Sequence, residues 1–400
     1  MTVHPAPSPD ALRHCIVHEV EPLAVATVAT LQSLGRPLLT DDPDDPTRVR
    51  ALFTWRPAPG DPAGGAYLWV NRLTDKRHVA RGMMRRRAAS DLWFVELAVP
   101  RDVLATYRML PLHAAGDAGT EEIPPPRELL RRARIDPHNA AALANSPFGS
   151  VLAGPDAPRI DVWTASPATT STALDRTVDL APAPLRYRLS VPSGAGAMDL
   201  VIAFDADVWL DRFRLPDVLA AAGRRCAVLG IDSPADPSER LRFLGAHDAL
   251  FPAITEDALP AARMVTGPLG RVTIAGQSLG GLAALAFAAR NPDLVDEVLA
   301  YSPSVWWRPG LTGLPSDVTE RHGWIHDVVR GCPPGGFSIR LASGAFEEEL
   351  TPGVRDLAAS ARAAGHDVEH TVYSGGHDEV QWATLLLTAS LPEWLQPKSK

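Results

Sequence analysis

Residues 271–290 read RVTIAGQSLGGLAALAFAAR: a β-branched strand halts at Gly276-Gln277-Ser278-Leu279-Gly280 and passes at once into an Ala/Leu-rich helix. No other stretch restricts the fold as much. A strand that becomes a helix within five residues forces a sharp reversal at the central serine. Side chains two positions to either side would collide with the adjoining elements. Gly276 and Gly280 fill those places. The turn also sets the Ser278 hydroxyl at a helix N-terminus, where the Leu279 amide can donate to a developing oxyanion and the dipole favours negative charge. GxSxG alone is a weak pattern, because an ordinary strand–turn–helix uses the same small residues. The flanking strand and helix shift the balance toward a nucleophile elbow.

The rest of the C-terminal half agrees. LRYRLSVP, DLVIAFD, RCAVLGID, DEVLAYSP, GFSIRLASG and VEHTVYSG read as strands. LPDVLAAAG, ALPAARMV, VRDLAASARAAG and VQWATLLLTASLPEWL read as helices. Near-continuous apolar strands alternating with helices predict a mostly parallel sheet covered on both faces, an α/β hydrolase domain over residues 183–397. Upstream, ALFTW, AYLWV, DLWFVELAV and ATYRML are short, alternating and rich in aromatic and β-branched residues. They predict a small β-sandwich domain over 15–153, with one short helix between Val25 and Leu34 ahead of its first strand. The stretch 154–182 is rich in Pro, Thr, Ser and Ala and poor in large aliphatics, which predicts a linker.

Composition removes several classes. With 46% hydrophobic and 22% charged residues, the 400-residue chain is globular and long enough for two or three domains. No apolar run is long enough for a membrane span, and MTVHPAPSPD lacks the pattern of a secretory leader. Three scattered cysteines (Cys15, Cys226, Cys332) without a CxxC pair argue against a zinc ribbon or a disulfide framework, and fit a reducing cytoplasm. A net charge of −8 argues against a general nucleic-acid binder.

A serine nucleophile needs a base, and in α/β-hydrolase order the histidine comes last, after the final strand. Of twelve histidines, His377 holds that place, in the loop Ser374-Gly375-Gly376-His377-Asp378 between strand 368–373 and the closing helix. His370 lies inside the strand. His322, His326 and His366 read as surface or capping residues. The acid, which holds the imidazole tautomer, is expected after the preceding strand, where Glu347, Glu348 and Glu349 follow in a row. Glu347 is the first choice, with Glu348 or Asp378 as alternatives; three consecutive acids also commonly charge a solvated helix start. The second oxyanion donor is sought in the loop Phe204-Asp205-Ala206-Asp207, at the Ala206 or Asp207 amide.

Taken together, GQSLGGLAAL, YSPSVWW and GGHDEVQW resemble the enterochelin esterase (ferric-siderophore trilactone hydrolase) family and, more broadly, the esterase D-like α/β hydrolases. FDADVWL resembles the family's DGxxW segment, and LGIDSPADPSER its strand followed by an arginine, here Arg240. LFTWRP, AYLWVNRLTD, SDLWFVEL and IDPHN resemble its N-terminal immunoglobulin-like early-set domain, so the likeness covers most of 45–395. The resemblance implies a cytoplasmic serine esterase that opens ester bonds of a catecholate siderophore such as enterobactin and so releases iron. It implies Ser278 as nucleophile, His377 as base and Glu347 as acid. The chain departs from the family at Ala206, where a glycine is usual, at Phe243, a usually acidic position, and at His247.

A ferric tris-catecholate is a bulky anion with aromatic faces. Trp306 and Trp307, beyond the strand that follows the elbow, fall at the carboxyl edge of the sheet, where open α/β folds bind ligands. They are candidates to stack on catechol rings, with Trp209 and Arg240 as further substrate-binding candidates; Trp382 on the closing helix is better explained by burial. The run Arg72, Lys76, Arg77, Arg81, Arg85, Arg86 and Arg87 either attracts the anion or is a solvated loop or a crude nucleic-acid patch. No cofactor or metal is required, since iron arrives with the substrate. Two other functions compete: an esterase or acyltransferase of the same group acting on another acyl ester, and a protein that binds an iron chelate without cleaving it.

Overall fold

The computed structural model describes residues 8–20, 37–57, 63–113, 123–136, 139, 149–160, 163, 170–180, 183–193, 198–245, 248–311 and 323–390. The helix expected at 25–34, and His138, His247 and His322, lie outside them. The chain divides into two compact units: Met1–Ile160 with Ser374–Gln381, and Asp161–Tyr373 with Trp382–Lys400. No helix of the described residues is long and apolar enough to cross a membrane.

In the N-terminal unit the alternating runs become strands β1 (Leu38–Asp41), β2 (Arg48–Trp55), β3 (Ala63–Val70), β4 (Arg85–Arg86), β5 (Trp93–Pro100), β6 (Leu104–His113) and β7 (Val151–Ala153). They form two antiparallel sheets, ordered β1-β2-β5-β4 and β3-β6-β7. A helix that the sequence reading missed, Pro9–Val17, precedes them. The Ser8 hydroxyl caps it by accepting from the Ala11 amide, and a proline opens it, where no amide is left unsatisfied. Leu12 and Ile16, one turn apart, pack with Leu38, Leu52, Leu92 and Phe94. The folded unit therefore begins before residue 15. Part of the basic run serves this junction: Arg85 and Arg87 donate to the Val17 and Cys15 carbonyls in the last turn of the helix, and Arg85 also lies over the Phe94 ring.

In the other unit, β8 (Thr170–Val178), β9 (Leu185–Pro192), β10 (Met198–Phe204), β11 (Cys226–Ile231), β12 (Leu269–Gln277), β13 (Glu297–Tyr301), β14 (Ser338–Gly344) and β15 (Asp367–Tyr373) make one sheet, ordered β15-β14-β13-β12-β10-β11-β9-β8. β10 to β15 pair in parallel, β9 runs antiparallel to β11, and β8 antiparallel to β9. The predicted linker is thus corrected in part, because residues 170–178 are an edge strand of this sheet. Seven of its nine residues carry polar or small side chains and none is buried, which is why its composition reads as a connection. β11 is buried throughout, as its unbroken apolar sequence requires.

The strand order contains a reversal. From β10 the chain moves to β11 on one side, while from β12 it moves to β13 on the other. Loops leaving two neighbouring strands in opposite directions open a crevice at their carboxyl ends, the usual ligand position in such sheets. The Phe204–Asp207 loop and the Ser278 turn flank that crevice.

Candidate active site

Ser278 adopts φ 54° and ψ −118°, a conformation that costs a non-glycine residue about 1–3 kcal/mol. Its surroundings hold it there. The Ser278 amide donates to the Tyr301 carbonyl (2.9 Å), and its own carbonyl accepts from the Ser304 (3.0 Å) and Leu282 (3.1 Å) amides. A Cβ on Gly276 would lie 2.2 Å from the Gly280 carbonyl oxygen, and one on Gly280 would lie 3.1 Å from Asp205 Oδ2. The glycine spacing is therefore a packing requirement. The helix Leu279–Arg290 is buried at every position from Leu279 to Ala288, while Ser278 itself is only half-buried. Its hydroxyl lies 3.4 Å from the Ser304 hydroxyl.

After β10 the backbone turns at Asp205, with φ 61°. The buried Asp205 carboxylate accepts from Arg240 Nε (2.8 Å) and Nη2 (2.7 Å) and from Gln277 Nε2 (3.0 Å). Gln277 Oε1 in turn accepts from Trp209 Nε1 (3.1 Å). This network ties the loop after β10 to the residue immediately before Ser278, and the sequence reading did not foresee it. Ala206 has φ −58° and needs no glycine; its methyl packs on Gly230, where an added Cβ would lie 2.6 Å away. Burial, reinforced by the neighbouring Asp205 charge, pushes the Asp207 carboxyl above its ordinary value.

Of the three glutamates after β14, Glu348 is exposed and Glu349 half-buried, whereas Glu347 is 2% exposed. Glu347 Oε2 accepts from the Ser302 hydroxyl (2.6 Å) and the Gly344 amide (2.7 Å). Trp382 Nε1 lies 3.0 Å from the Tyr373 hydroxyl and 3.2 Å from Ser302 Oγ, closing the network from the far side. Such a carboxylate is held in one orientation. Trp382 is buried, in keeping with its place on the closing helix.

His377 sits on the loop grouped with the N-terminal unit. Its amide donates to Asn71 Oδ1 (3.0 Å). Gly376 has no room for a side chain, since a Cβ there would lie 2.3 Å from the Asn71 carbonyl oxygen. Asp378, 3% exposed, accepts from the Thr106 amide (2.7 Å), the Thr106 hydroxyl (2.8 Å) and the Val380 amide (3.1 Å). Burial raises its pKa, and the Thr106 bonds pull the other way. The carboxylate that was the alternative acid is thus engaged in anchoring this loop. Two other late histidines are engaged elsewhere: His370 Nε2 lies 3.0 Å from the Ser343 hydroxyl, and His366 Nε2 donates to the Val329 carbonyl at 3.0 Å.

Three substrate-binding expectations meet a different arrangement. Trp209 is 1% exposed, spent on Gln277 and edge-on to Phe213. Trp307 is 5% exposed and packs edge-on against Trp324. Neither offers a free face to a catechol ring. Arg240 gives its Nε and Nη2 edge to Asp205 and so supports the loop after β10. Trp306, at 8% exposure, retains slightly more surface.

Comparison with known proteins accords with this architecture. A model of the enterochelin esterase N-terminal domain matches residues 50–163, and a putative esterase model matches residues 250–392. The chain is 30% identical over 372 residues to an iron(III) salmochelin esterase of Escherichia coli O6:H1, covering 89% of this chain and 90% of that protein. It is 28% identical over 385 residues to an iron(III) enterobactin esterase of Dickeya dadantii, covering 87% and 88%. The crystal structure of a ferric enterobactin esterase from Salmonella typhimurium superposes with a TM-score of 0.75 at 23% identity, over 91% of this chain and 97% of that one, which shows a shared fold. With its elbow, its reversed strand order and a relative matched nearly end to end, the chain belongs to the enterochelin esterase family of serine-type ester hydrolases.

Proposed function

We propose that this protein hydrolyses the ester bonds of a catecholate siderophore trilactone of the enterobactin or salmochelin kind, and so releases iron in the cytoplasm. The observation that carries the reading is the strained, half-exposed Ser278 at the switch point of a chain that matches an iron(III) salmochelin esterase over nine-tenths of its length. In this mechanism Ser278 Oγ attacks the lactone carbonyl and His377 takes its proton. Glu347 holds the imidazole tautomer and stabilises the imidazolium. The Leu279 amide and the Ala206 or Asp207 amide receive the oxyanion. The ring alkoxide leaves with the proton from His377, and water, activated by the same imidazole, clears the acyl-enzyme. Trp306 is the tryptophan kept as a catechol contact. The N-terminal unit is read as an immunoglobulin-like early-set domain, supported by its two antiparallel sheets and its family match.

Steady-state kinetics on ferric and iron-free trilactones, set beside simple aryl esters and thioesters, test the substrate assignment. The expected outcome is a kcat/KM at least about a hundredfold higher for a trilactone, the kind of ratio that several matched contacts produce. Higher kcat/KM on aryl esters or thioesters would transfer the enzyme to another ester class.

A further inference from the structure

We infer that the N-terminal unit, through Asn71 and Thr106, fixes the loop that presents His377. The inference rests on the reading of His377 as the base. The loop Ser374–Gln381 follows the last strand of the eight-stranded sheet in sequence, yet it packs as part of the N-terminal unit. It is held at consecutive points. The Leu104 amide donates to the Ser374 carbonyl (3.2 Å), and Gln381 Nε2 donates to the Leu104 carbonyl (3.0 Å). Gly376 lies against the Asn71 backbone too closely for any side chain, and the His377 amide meets Asn71 Oδ1. Thr106 places two donors on one oxygen of the buried Asp378, whose other oxygen caps the first turn of the closing helix at Val380.

These contacts bracket His377 on both sides. Asn71 fixes its backbone, and Thr106 fixes the residue that follows. Asn71 lies directly after β3 and Thr106 within β6, two paired strands of one sheet, so both grips share a rigid frame. A carboxylate buried this deeply and bonded by an amide and a hydroxyl of another segment resists displacement, because leaving would strip it of both donors. An imidazole that acts as base must sit within a few tenths of an ångström of its working position. Asn71 and Thr106 are therefore positioning residues that act through the backbone of the His377 loop.

The test compares Thr106→Val with Thr106→Ser, and Asn71→Leu with Asn71→Asp, in the full chain on a trilactone substrate. Valine and leucine remove the bonding group, whereas serine and aspartate keep it. The expected result is a fall in kcat of about ten- to a hundredfold for Thr106→Val and Asn71→Leu, with KM changed less than about threefold, and recovery to within about threefold of wild type in Thr106→Ser and Asn71→Asp. The rate at which a fluorophosphonate labels Ser278 should fall in step with kcat, since labelling uses the same base. Wild-type kcat and labelling in both disruptive variants would overturn the inference, as would a loss confined to KM. If Thr106→Val does not fold, Asn71→Leu decides alone. A Ser278→Ala or His377→Ala enzyme with undiminished turnover would instead remove the reading on which the inference rests, and the two failures are thereby distinguished.

Discussion

The loops after β14 and β15 each carry one buried carboxylate, and the two are secured in opposite ways. Glu347 is bound from within its own unit, by a hydroxyl and an amide at the ends of neighbouring strands. Asp378 is bound by Thr106, 272 residues away on a strand of the N-terminal unit. The first arrangement suits a group that must present a fixed charge to an imidazole. The second suits an anchor, since the carboxylate spends its acceptors on a backbone position and a helix start. Burial alone thus does not tell the two carboxylates apart; their partners do.

Substitutions can break this comparison. Glu347→Gln is expected to lower kcat on the order of 10⁴-fold while leaving the unfolding midpoint within a few degrees, because the amide keeps the shape but loses the charge that supports the imidazolium. Equal activity loss in Asp378→Asn would dissolve the distinction. Arg240→Lys cannot reproduce the two-pronged grip on Asp205, so the loop after β10 should loosen and, if it holds the oxyanion, kcat drop by about 10²-fold with KM little changed; a rise in KM alone would return Arg240 to substrate binding. Asp378→Ala should cost about 2–4 kcal/mol in denaturant unfolding, from the lost helix cap and the stranded Thr106 donors. A stability change below about 0.5 kcal/mol would show that the anchor is not needed.

The smallest expected effect concerns pH. Burial, then the charges of Arg355 and Arg362, lower the His370 pKa. The unfolded chain therefore binds a proton there before the folded one does, and stability falls as pH drops below about 6.5, the unfolded imidazole value. His370→Gln should flatten that slope, as urea unfolding at pH 5 and pH 7.5 would show, without touching the Glu347 or Asp378 contrast.

What could be read from the sequence was what is local. The elbow is visible because strand, glycines, serine and helix are contiguous, and the alternation of the parallel strands with helices is a pattern of near neighbours. The β8 strand was missed because an edge exposed on both faces carries the polar composition of a connection. Choosing Glu347 from three adjacent glutamates on sequence alone rests on loop position and resemblance; the fold separates them by turning one inward and one out. The Asp205–Arg240–Gln277–Trp209 network and the Thr106–Asp378 tie join residues 35 to 272 positions apart, and no spacing rule announces such pairs. The burial of two tryptophans was hidden for a related reason: an indole near a sheet edge looks available until its neighbours Phe213 and Trp324 are in place.

The central claim is that the Ser278 hydroxyl opens the siderophore ring. Chromatography of a ferric trilactone incubated with wild-type protein and with Ser278→Ala tests it most directly. Ring-opened products from the wild type, and at least about a 10⁴-fold lower rate from the variant, are predicted. The same products at the same rate from both would contradict it.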